Sequence, residues 1–451
     1  MGRIYFFFMF MLSLLICALA PNKYNHNYSI ICVSISIINI IIYLIIKKKK
    51  NYFDFDNLFF VAYIFIMFYY TAYMYETDPY RYVFYQLYFD KNTLPFSAGL
   101  ALLGLSGYIF GAMLVKNRTI NITQNSKQTI DKTIATTPFY ILSIIFLILY
   151  VVSGGYEKIM KEYIGGGLES VEDGGLSQYF FVFFPAFLLS GIIVEFHNLR
   201  IYNRNKIKLS AINKVGIFTT ITIFLMFILI GSRTIPLQIA LAIIGLYTKY
   251  YKPVTLSKFV GFVCAGFLLF ALVGFLRSQS NDGREFKPED AAMDFIINNR
   301  NSYVAIDYVN DNGLSYGESM LSPILAPFPF SQSLVVNLFH LNPDDMRSAL
   351  ITTKATFGEV GTWGLGTNII ADVYIAFGVL GVFIMFPLLG YYVNYHRENT
   401  DNSILSLVFY GVIISYAVYL PRAEYFYFLR YFIWCYIFIV TSIKIKKSKN
   451  A

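Results

Sequence analysis

The chain has 451 residues, of which 57% are hydrophobic and only 14% are charged, and its mean hydropathy is +0.55. Soluble globular domains carry about 25% charged residues, so this composition excludes a soluble multidomain enzyme and a disordered chain. The four cysteines lie in apolar runs, and the four histidines are scattered without the spacing of a metal site. The composition therefore predicts an all-α polytopic membrane protein without a disulfide framework or a zinc site.

Twelve apolar runs have about the length that a helix needs to cross a bilayer. The predicted spans are residues 4–20, 28–46, 57–75, 97–115, 138–153, 178–195, 214–231, 234–248, 258–276, 367–394, 404–420 and 425–443. The first run ends in Ala18-Leu19-Ala20-Pro21, which resembles a signal-peptide cleavage site, and we interpret it as an uncleaved span. The seventh and eighth runs meet at a short hinge, residues 231–234, and one broken helix is the alternative there.

The basic residues indicate how the predicted spans are oriented in the membrane. If the N-terminus is cytoplasmic and the spans alternate, most of the 36 Lys and Arg fall in cytoplasmic segments, and most of the 27 acidic residues fall outside. The run Lys47–Lys50 is then a topology anchor, and both termini are cytoplasmic. The net charge of +9 therefore indicates membrane orientation and not nucleic acid binding.

The spans divide the chain into three parts. Residues 1–276 hold nine predicted transmembrane helices, residues 277–366 form one long outer loop, and residues 367–451 hold the last three helices. The loop mixes apolar stretches with turn-forming prolines, which predicts short amphipathic helices at the membrane face.

Charged residues collect at the outer boundary of the predicted spans. They are Arg233, Arg277, Arg284, Arg347, Glu359, Asp372, Arg422, Glu424 and Arg430. A charge inside a span costs several kcal/mol unless it is paired or faces a watery cavity, so such residues mark functional sites. Guanidinium groups bind phosphate oxygens in bidentate fashion, and a cluster of them suits a membrane-embedded diphosphate. The alternative for each arginine is that it reaches lipid head groups at the boundary.

The carboxylates allow two interpretations. Each can pair with an arginine, or it can take a proton from an attacking hydroxyl group. Glu424 lies two residues from Arg422, which favours pairing with it, whereas a general-base role is open for Glu359 and Asp372. Tyrosines of the outer segments, Tyr82 and Tyr303 among them, can stack on sugar rings or belong to an interfacial aromatic belt.

Three stretches resemble a known family. They are residues 228–237 (ILIGSRTIPL), 363–381 (WGLGTNIIADVYIAFGVLG) and 422–424 (RAE). Together with the order of the spans and the late long loop, they resemble bacterial O-antigen and oligosaccharide repeat-unit polymerases of the Wzy type, which include the polymerase of enterobacterial common antigen. Where members of that family often carry a Glu before the Tyr, this chain has Asp372.

The resemblance implies a glycosyltransferase of GT-C-like architecture in the bacterial inner membrane, with its active site on the periplasmic face. It implies that repeat units linked to undecaprenyl diphosphate are polymerised, without a nucleotide sugar, cofactor or essential metal. Glu359, Asp372 and Glu424 become the catalytic candidates. The diphosphate-binding candidates are Arg233, Arg277, Arg284, Arg347, Arg422 and Arg430. A chain-length regulator and a flippase are the implied protein partners, beside membrane lipids.

Three other functions stay open. A ligase that moves finished glycan would share the arginine-rich outer face and is expected to use a loop histidine, for which His340 is the candidate. A flippase or transporter for lipid-linked sugars predicts charges through the middle of several spans, and this sequence has few there. A structural membrane subunit would not need the arginine cluster.

Overall fold

The computed structural model describes residues 2–116, 133–155, 176–202, 212–229, 232, 234–278, 296–358 and 364–449. In these ranges the regular structure is helical, and every one of the twelve predicted apolar runs contains a helix. The first nine are α1 (Gly2–Ala18), α2 (His26–Lys47), α3 (Phe55–Thr77), α4 (Leu94–Leu114), α5 (Thr137–Gly155), α6 (Leu176–Tyr202), α7 (Lys214–Leu229), α8 (Thr234–Tyr250) and α9 (Leu256–Ser278). The loop that follows contains α10 (Arg300–Asn312), α11 (Ser331–Phe339) and α12 (Ser348–Phe357), and the chain ends in α13 (Ile369–Asn399), α14 (Ile404–Ser415) and α15 (Leu429–Lys449).

Among the residues that the structure describes, six helices are long and apolar enough to cross a membrane. They are His26–Lys47, Phe55–Thr77, Lys91–Leu114, Thr137–Gly155, Ser177–Leu199 and Ile369–Asn399. Four further apolar helices are shorter: Gly2–Ala18, Lys214–Leu229, Leu256–Leu268 and Ile404–Ser415. Length and composition thus make this chain an all-helical, multi-pass membrane protein.

Helices α4 and α13 form the tightly packed centre of the bundle. A Cβ atom on Gly111 would overlap the carbonyl oxygen of Pro387, and one on Gly390 would overlap the carbonyl oxygen of Tyr108. Small residues let helix backbones approach closely inside membranes, where dispersion contacts replace the hydrophobic effect as the driving force. The glycines of these helices therefore set the distance at which α13 crosses α4.

A buried ion network closes one end of the bundle. Lys49 Nζ lies 2.7 Å from carboxylate oxygens of both Asp54 and Asp56, and the guanidinium of Arg397 contacts the same two carboxylates at 2.9 and 2.7 Å. The hydroxyl of Tyr108 also donates to Asp56 at 2.6 Å. The Lys49 side chain is only 6% exposed, so this residue of the predicted topology anchor also has a structural role. It supplies one of two cations that neutralise two buried carboxylates.

The long loop is fastened to the opposite end. Asn298 Nδ2 donates to the carbonyl of Thr367, Asn368 Nδ2 donates back to the carbonyl of Asn298, and Ser302 Oγ donates to Asn368 Oδ1. Asn368 also caps α13, because its side chain accepts the N–H groups of Ile370 and Ala371. These bonds bury the first turns of α10 against the start of α13, whereas the sequence predicted loop helices lying at the membrane face.

Helix α13 is interrupted near its beginning. Gly378 has φ 62° and ψ −151°, a conformation that glycine adopts without a steric penalty. The N–H of Ser315, from the long loop, bonds to the carbonyl oxygen of Ile375 at 3.0 Å. The loop thereby satisfies a backbone acceptor beside the interruption, which fixes the first turns of α13 relative to the loop.

Candidate active site at the loop end of the bundle

An ion pair joins the long loop to the segment before the last helix. Arg347 occupies the position that precedes α12, and its Nε lies 2.6 Å from Oε1 of Glu424. The Glu424 side chain is 4% exposed, whereas that of Arg347 is 43% exposed. Glu424 raises the pKa of Arg347 above its ordinary value, so the guanidinium stays charged at every physiological pH. The accessible part of the pair is therefore the charged guanidinium, and the carboxylate that holds it is buried.

This pairing differs from the sequence prediction. The short sequence separation favoured Arg422 as the partner of Glu424, but among the described residues its ion-pair partner is Arg347, 77 positions away. The bond to Glu424 is made by Nε. The two terminal nitrogens of Arg347 have no hydrogen-bond partner in the described part of the chain. Those nitrogens form the planar edge that binds phosphate oxygens in bidentate fashion.

Two further arginines lie on one group of tyrosine rings. The rings of Tyr419 and Tyr427 have centroids 5.2 Å apart, and the guanidinium carbon of Arg422 lies 5.6 Å from the centroid of Tyr419. The guanidinium carbon of Arg430 lies 5.4 Å from the centroid of Tyr431, and the ring of Tyr416 links Tyr431 to Tyr427, with centroid distances of 5.6 and 5.8 Å. Arg422 and Arg430 therefore lie on one group of tyrosine rings, in the segment that contains the carboxylate partner of Arg347. All three arginines are at least partly accessible.

Asp372 lies beneath this cluster and is fully buried. Its Oδ1 accepts the hydroxyl of Ser348 at 2.6 Å, and its Oδ2 accepts the backbone N–H of Tyr425 at 2.8 Å. Ser348 is the first residue of α12, and Tyr425 follows Glu424. Asp372 thus holds together the two segments that carry Arg347 and Glu424. This geometry favours a positioning role over the catalytic role that the sequence suggested.

Arg300 is a buried cation that no sequence pattern singled out. It is 1% exposed, its terminal nitrogens donate to Thr356 Oγ1 at 2.8 Å and to the carbonyl of Tyr88 at 2.7 Å, and burial lowers its pKa to about 10. It joins α10 to α12 and to the segment before α4. In the sequence, the polar run from Asn298 to Ser302 was the available signal for Arg300. No spacing pattern indicates the partners of this arginine.

The other predicted site residues have no described side chain. Arg277 lies in α9, with a side chain outside the described part. Arg233, Arg284 and Glu359 lie outside the described residues altogether. Among the described residues, no group of three or more His, Cys, Asp or Glu side chains has the arrangement of a metal site. The described cluster thus offers guanidinium groups, two buried carboxylates and tyrosine rings.

A comparison with protein families identifies the chain. Residues 3–449, nearly the whole sequence, match the family described as O-antigen polysaccharide polymerase Wzy. No curated protein and no solved structure matches the chain significantly. Because the match extends from the first helix to the last, it includes both segments that form the Arg347–Glu424 pair. The chain belongs to the Wzy family of O-antigen polysaccharide polymerases.

Proposed function

We propose that the protein polymerises oligosaccharide repeat units linked to undecaprenyl diphosphate, on the periplasmic face of the bacterial inner membrane. It transfers the growing glycan from its lipid diphosphate to the non-reducing end of the next lipid-linked unit. Undecaprenyl diphosphate is the leaving group. The observation that carries this proposal is that Arg422 and Arg430 lie on the tyrosine rings of one short segment, and that Arg347 pairs with Glu424 of the same segment, in a chain of this family.

The reaction explains why arginines are needed. The acceptor hydroxyl attacks the anomeric carbon of the growing glycan, the bond from that carbon to the phosphate oxygen breaks, and the electron pair leaves with the diphosphate. Negative charge therefore grows on the diphosphate in the transition state. Guanidinium groups that are already in position stabilise this charge without reorganising, as donors do in an oxyanion hole. We propose that Arg347, Arg422 and Arg430 do this, joined by Arg233, Arg277 and Arg284, and that no metal is required.

The acceptor hydroxyl must lose its proton to a base. Glu359 is the carboxylate that we propose for this step, because it follows α12 in the sequence and remains a candidate from the sequence alone. Glu424 holds the guanidinium of Arg347, and Asp372 holds the backbone of Tyr425. The two buried carboxylates then position the diphosphate-binding groups, and neither takes the proton.

The distribution of basic residues supports a periplasmic site. Asp372 and Arg397 lie at opposite ends of α13, roughly 35–40 Å apart at 1.5 Å per residue. The ion network around Arg397 includes Lys49 of the basic run, which the positive-inside rule assigns to the cytoplasm. The site at the other end is then periplasmic. We propose twelve spans in a GT-C-like arrangement, with both termini cytoplasmic and residues 277–366 forming the periplasmic loop.

A gene deletion combined with reconstitution tests this function. A polymerase deletion should leave surface glycan capped with a single repeat unit, whereas loss of a ligase should leave polymer on the carrier lipid, and loss of a flippase should leave single units on the cytoplasmic side. The purified protein in lipid nanodiscs should extend lipid-diphosphate repeat units in the presence of EDTA. Failure to extend them in EDTA, with extension restored by Mg²⁺, would contradict the proposed charge stabilisation by arginine.

A further inference from the structure

A cavity of about 240 Å³ lies at the end of α3, apart from the arginine cluster. It is smaller than the roughly 300–1,000 Å³ of pockets for drug-sized ligands, so its size suits a single ring. Its lining combines three aromatic rings with three polar side chains: Tyr69, Tyr73, Tyr82, Thr77, Asp78 and Arg81. A few polar groups among aromatic walls are typical of pockets that bind one small ligand group in a fixed orientation.

A local change of helix geometry shapes this cavity. Residues 70–74 form a π-helical turn inside α3, and such turns occur frequently at functional sites. Across this turn, the ring centroids of Tyr69 and Tyr73 lie 5.3 Å apart, and their ring planes are inclined by 55°. Tyr73 is 46% exposed, so one of its faces is available to a ligand.

The wall behind the cavity is held rigidly. The ring of Tyr70 stacks on that of Tyr85 with centroids 3.9 Å apart and planes 8° apart, and both side chains are buried. The Tyr70 hydroxyl donates to the carbonyl of Pro79 at 3.2 Å, which ties the turn carrying Asp78 and Arg81 to α3. A cavity that is already formed loses little conformational entropy when a ligand binds.

We propose that this cavity binds a pyranose ring of the repeat-unit glycan, at a subsite remote from the diphosphate. A pyranose has apolar C–H faces that pack on aromatic rings, and hydroxyl groups around its rim that need donors and acceptors. Tyrosine offers such a face, and Thr77, Asp78 and Arg81 supply both kinds of polar group. Tyrosines of an interfacial belt face lipid, where a carboxylate and a guanidinium in the same concavity would be costly.

The cavity and the arginine cluster lie at the same end of the bundle. Asn299 donates to the carbonyl of Met67 in α3, and Tyr303 of α10 lies against Tyr70, with ring centroids 5.9 Å apart. Ala305 of α10 packs into the cluster that contains Ala371 of α13. Helix α10 therefore contacts both the wall behind the cavity and the start of α13. This inference rests on the proposed function, and it assigns the cavity to a sugar some units away from the bond that breaks.

Binding of lipid-free glycan tests the subsite independently of turnover. The probes are the single repeat unit and a short polymer, released by mild acid from carrier lipid and titrated calorimetrically into protein in nanodiscs. Tyr73→Ala should weaken glycan binding about tenfold or more, whereas Tyr73→Phe, which keeps the ring, should stay within about threefold. The matched control is Tyr88→Ala, because Tyr88 is 88% exposed and does not line the cavity. Binding of the single unit assigns the subsite to the acceptor, and binding of the polymer alone assigns it to the growing chain.

Turnover measurements separate this inference from the proposed function. Tyr73→Ala should raise KM for the lipid-linked unit with little change in kcat, whereas Arg430→Ala should abolish extension and leave binding of lipid-free glycan intact. If glycan binds Tyr73→Ala and Asp78→Asn as tightly as the wild type while extension proceeds, the subsite is refuted and the polymerase function stands. If the wild type does not extend lipid-linked units, the polymerase function is refuted whatever the glycan binding shows.

Discussion

Nε of Arg347 and Oε1 of Glu424 lie 2.6 Å apart, although 77 positions separate the two residues along the chain. One residue comes from the long loop and the other from the turn before the last helix. The two side chains differ in exposure: the carboxylate of Glu424 is 4% exposed, and the guanidinium of Arg347 is 43% exposed. The carboxylate therefore holds the guanidinium from below the surface. The loop is thereby fixed with the guanidinium accessible, as the proposed binding of a diphosphate requires.

Removing this guanidinium should disable the enzyme. We expect Arg347→Ala to lower kcat by about 10²–10³, because it removes a donor that stabilises developing charge. Arg347→Lys should recover only part of the activity, since lysine lacks the planar fork. Extension of lipid-linked units by purified variants measures both effects. Lys354→Ala is the matched control, because Lys354 is an exposed cation on α12, and unchanged activity in Arg347→Ala would remove this residue from the site.

Asp372 should act through position and not through proton transfer. Asp372→Asn keeps an acceptor for the Tyr425 N–H, and the Ser348 hydroxyl can turn to accept from the new amide group, so we expect reduced but measurable extension. Asp372→Ala leaves that buried N–H without a partner and should cost about 1–3 kcal/mol of stability. Thermal unfolding in detergent and the extension rate are measured together. Complete loss of extension in Asp372→Asn, at unchanged unfolding temperature, would show that this carboxylate is the base.

The ion network at the other end should be needed for folding. Arg397→Ala leaves Asp54 and Asp56 with one cation fewer in a buried site, and we expect a loss of about 3–5 kcal/mol. The amount of protein in the membrane should fall accordingly, as measured by immunoblot of membrane fractions. Glu398→Ala, which removes a more exposed partner of Arg397 at 3.3 Å, is the control and should leave the amount unchanged. Equal amounts of the two variants would contradict a structural role for the network.

The stability of the loop should depend on the ionisation of Asp307. Burial raises the pKa of Asp307 from 3.8 to about 6, while the Asp90 N–H bond opposes this shift. The folded protein therefore holds this proton more tightly than the unfolded chain, so the carboxylate destabilises the fold above pH 6. The penalty shrinks as the pH falls from about 6 towards 3.8.

Asp307→Asn should remove this penalty. We expect a gain of at most about 1 kcal/mol at about pH 7.5, because solvent screens a half-buried group, and a much smaller gain at about pH 4.5. Thermal unfolding at the two pH values measures it. Asp311→Asn, at an exposed position one turn further along α10, should show no gain at either pH. A gain for Asp307→Asn that is larger at the lower pH would contradict the raised pKa of Asp307.

The helices could be predicted from the sequence because each apolar run is long enough to be recognised by itself. All twelve runs contain a helix, and the bounds of most agree within a few residues. The π-helical turn at residues 70–74 and the interruption at Gly378 were not predicted, because both depend on tertiary contacts such as the Ser315–Ile375 bond. The burial of Tyr303 was not predicted for the same reason. The sequence placed this residue in an outer segment, but in the structure it is fully buried against Tyr70.

The residue types of the candidate site could be read from the sequence, and their pairing could not. Arg422 and Arg430 became candidates because charges at span boundaries are costly, and Arg347 because it lies late in the long loop. Proximity in sequence suggested Arg422 for Glu424, but the long loop folds back and brings Arg347 instead. Arg300 was missed because a polar loop residue is ordinarily exposed, and only the folded loop shows its burial against Tyr88 and Thr356.

The central claim is that Arg347, Arg422 and Arg430 together bind the diphosphate of the carrier lipid. The most direct measurement is the affinity of the purified protein for undecaprenyl diphosphate, determined by native mass spectrometry for the wild type and for a variant with all three arginines changed to alanine. We predict that affinity falls by about 10²-fold or more in the triple variant and is unchanged in Lys354→Ala. Equal affinity in the wild type and the triple variant would contradict the claim.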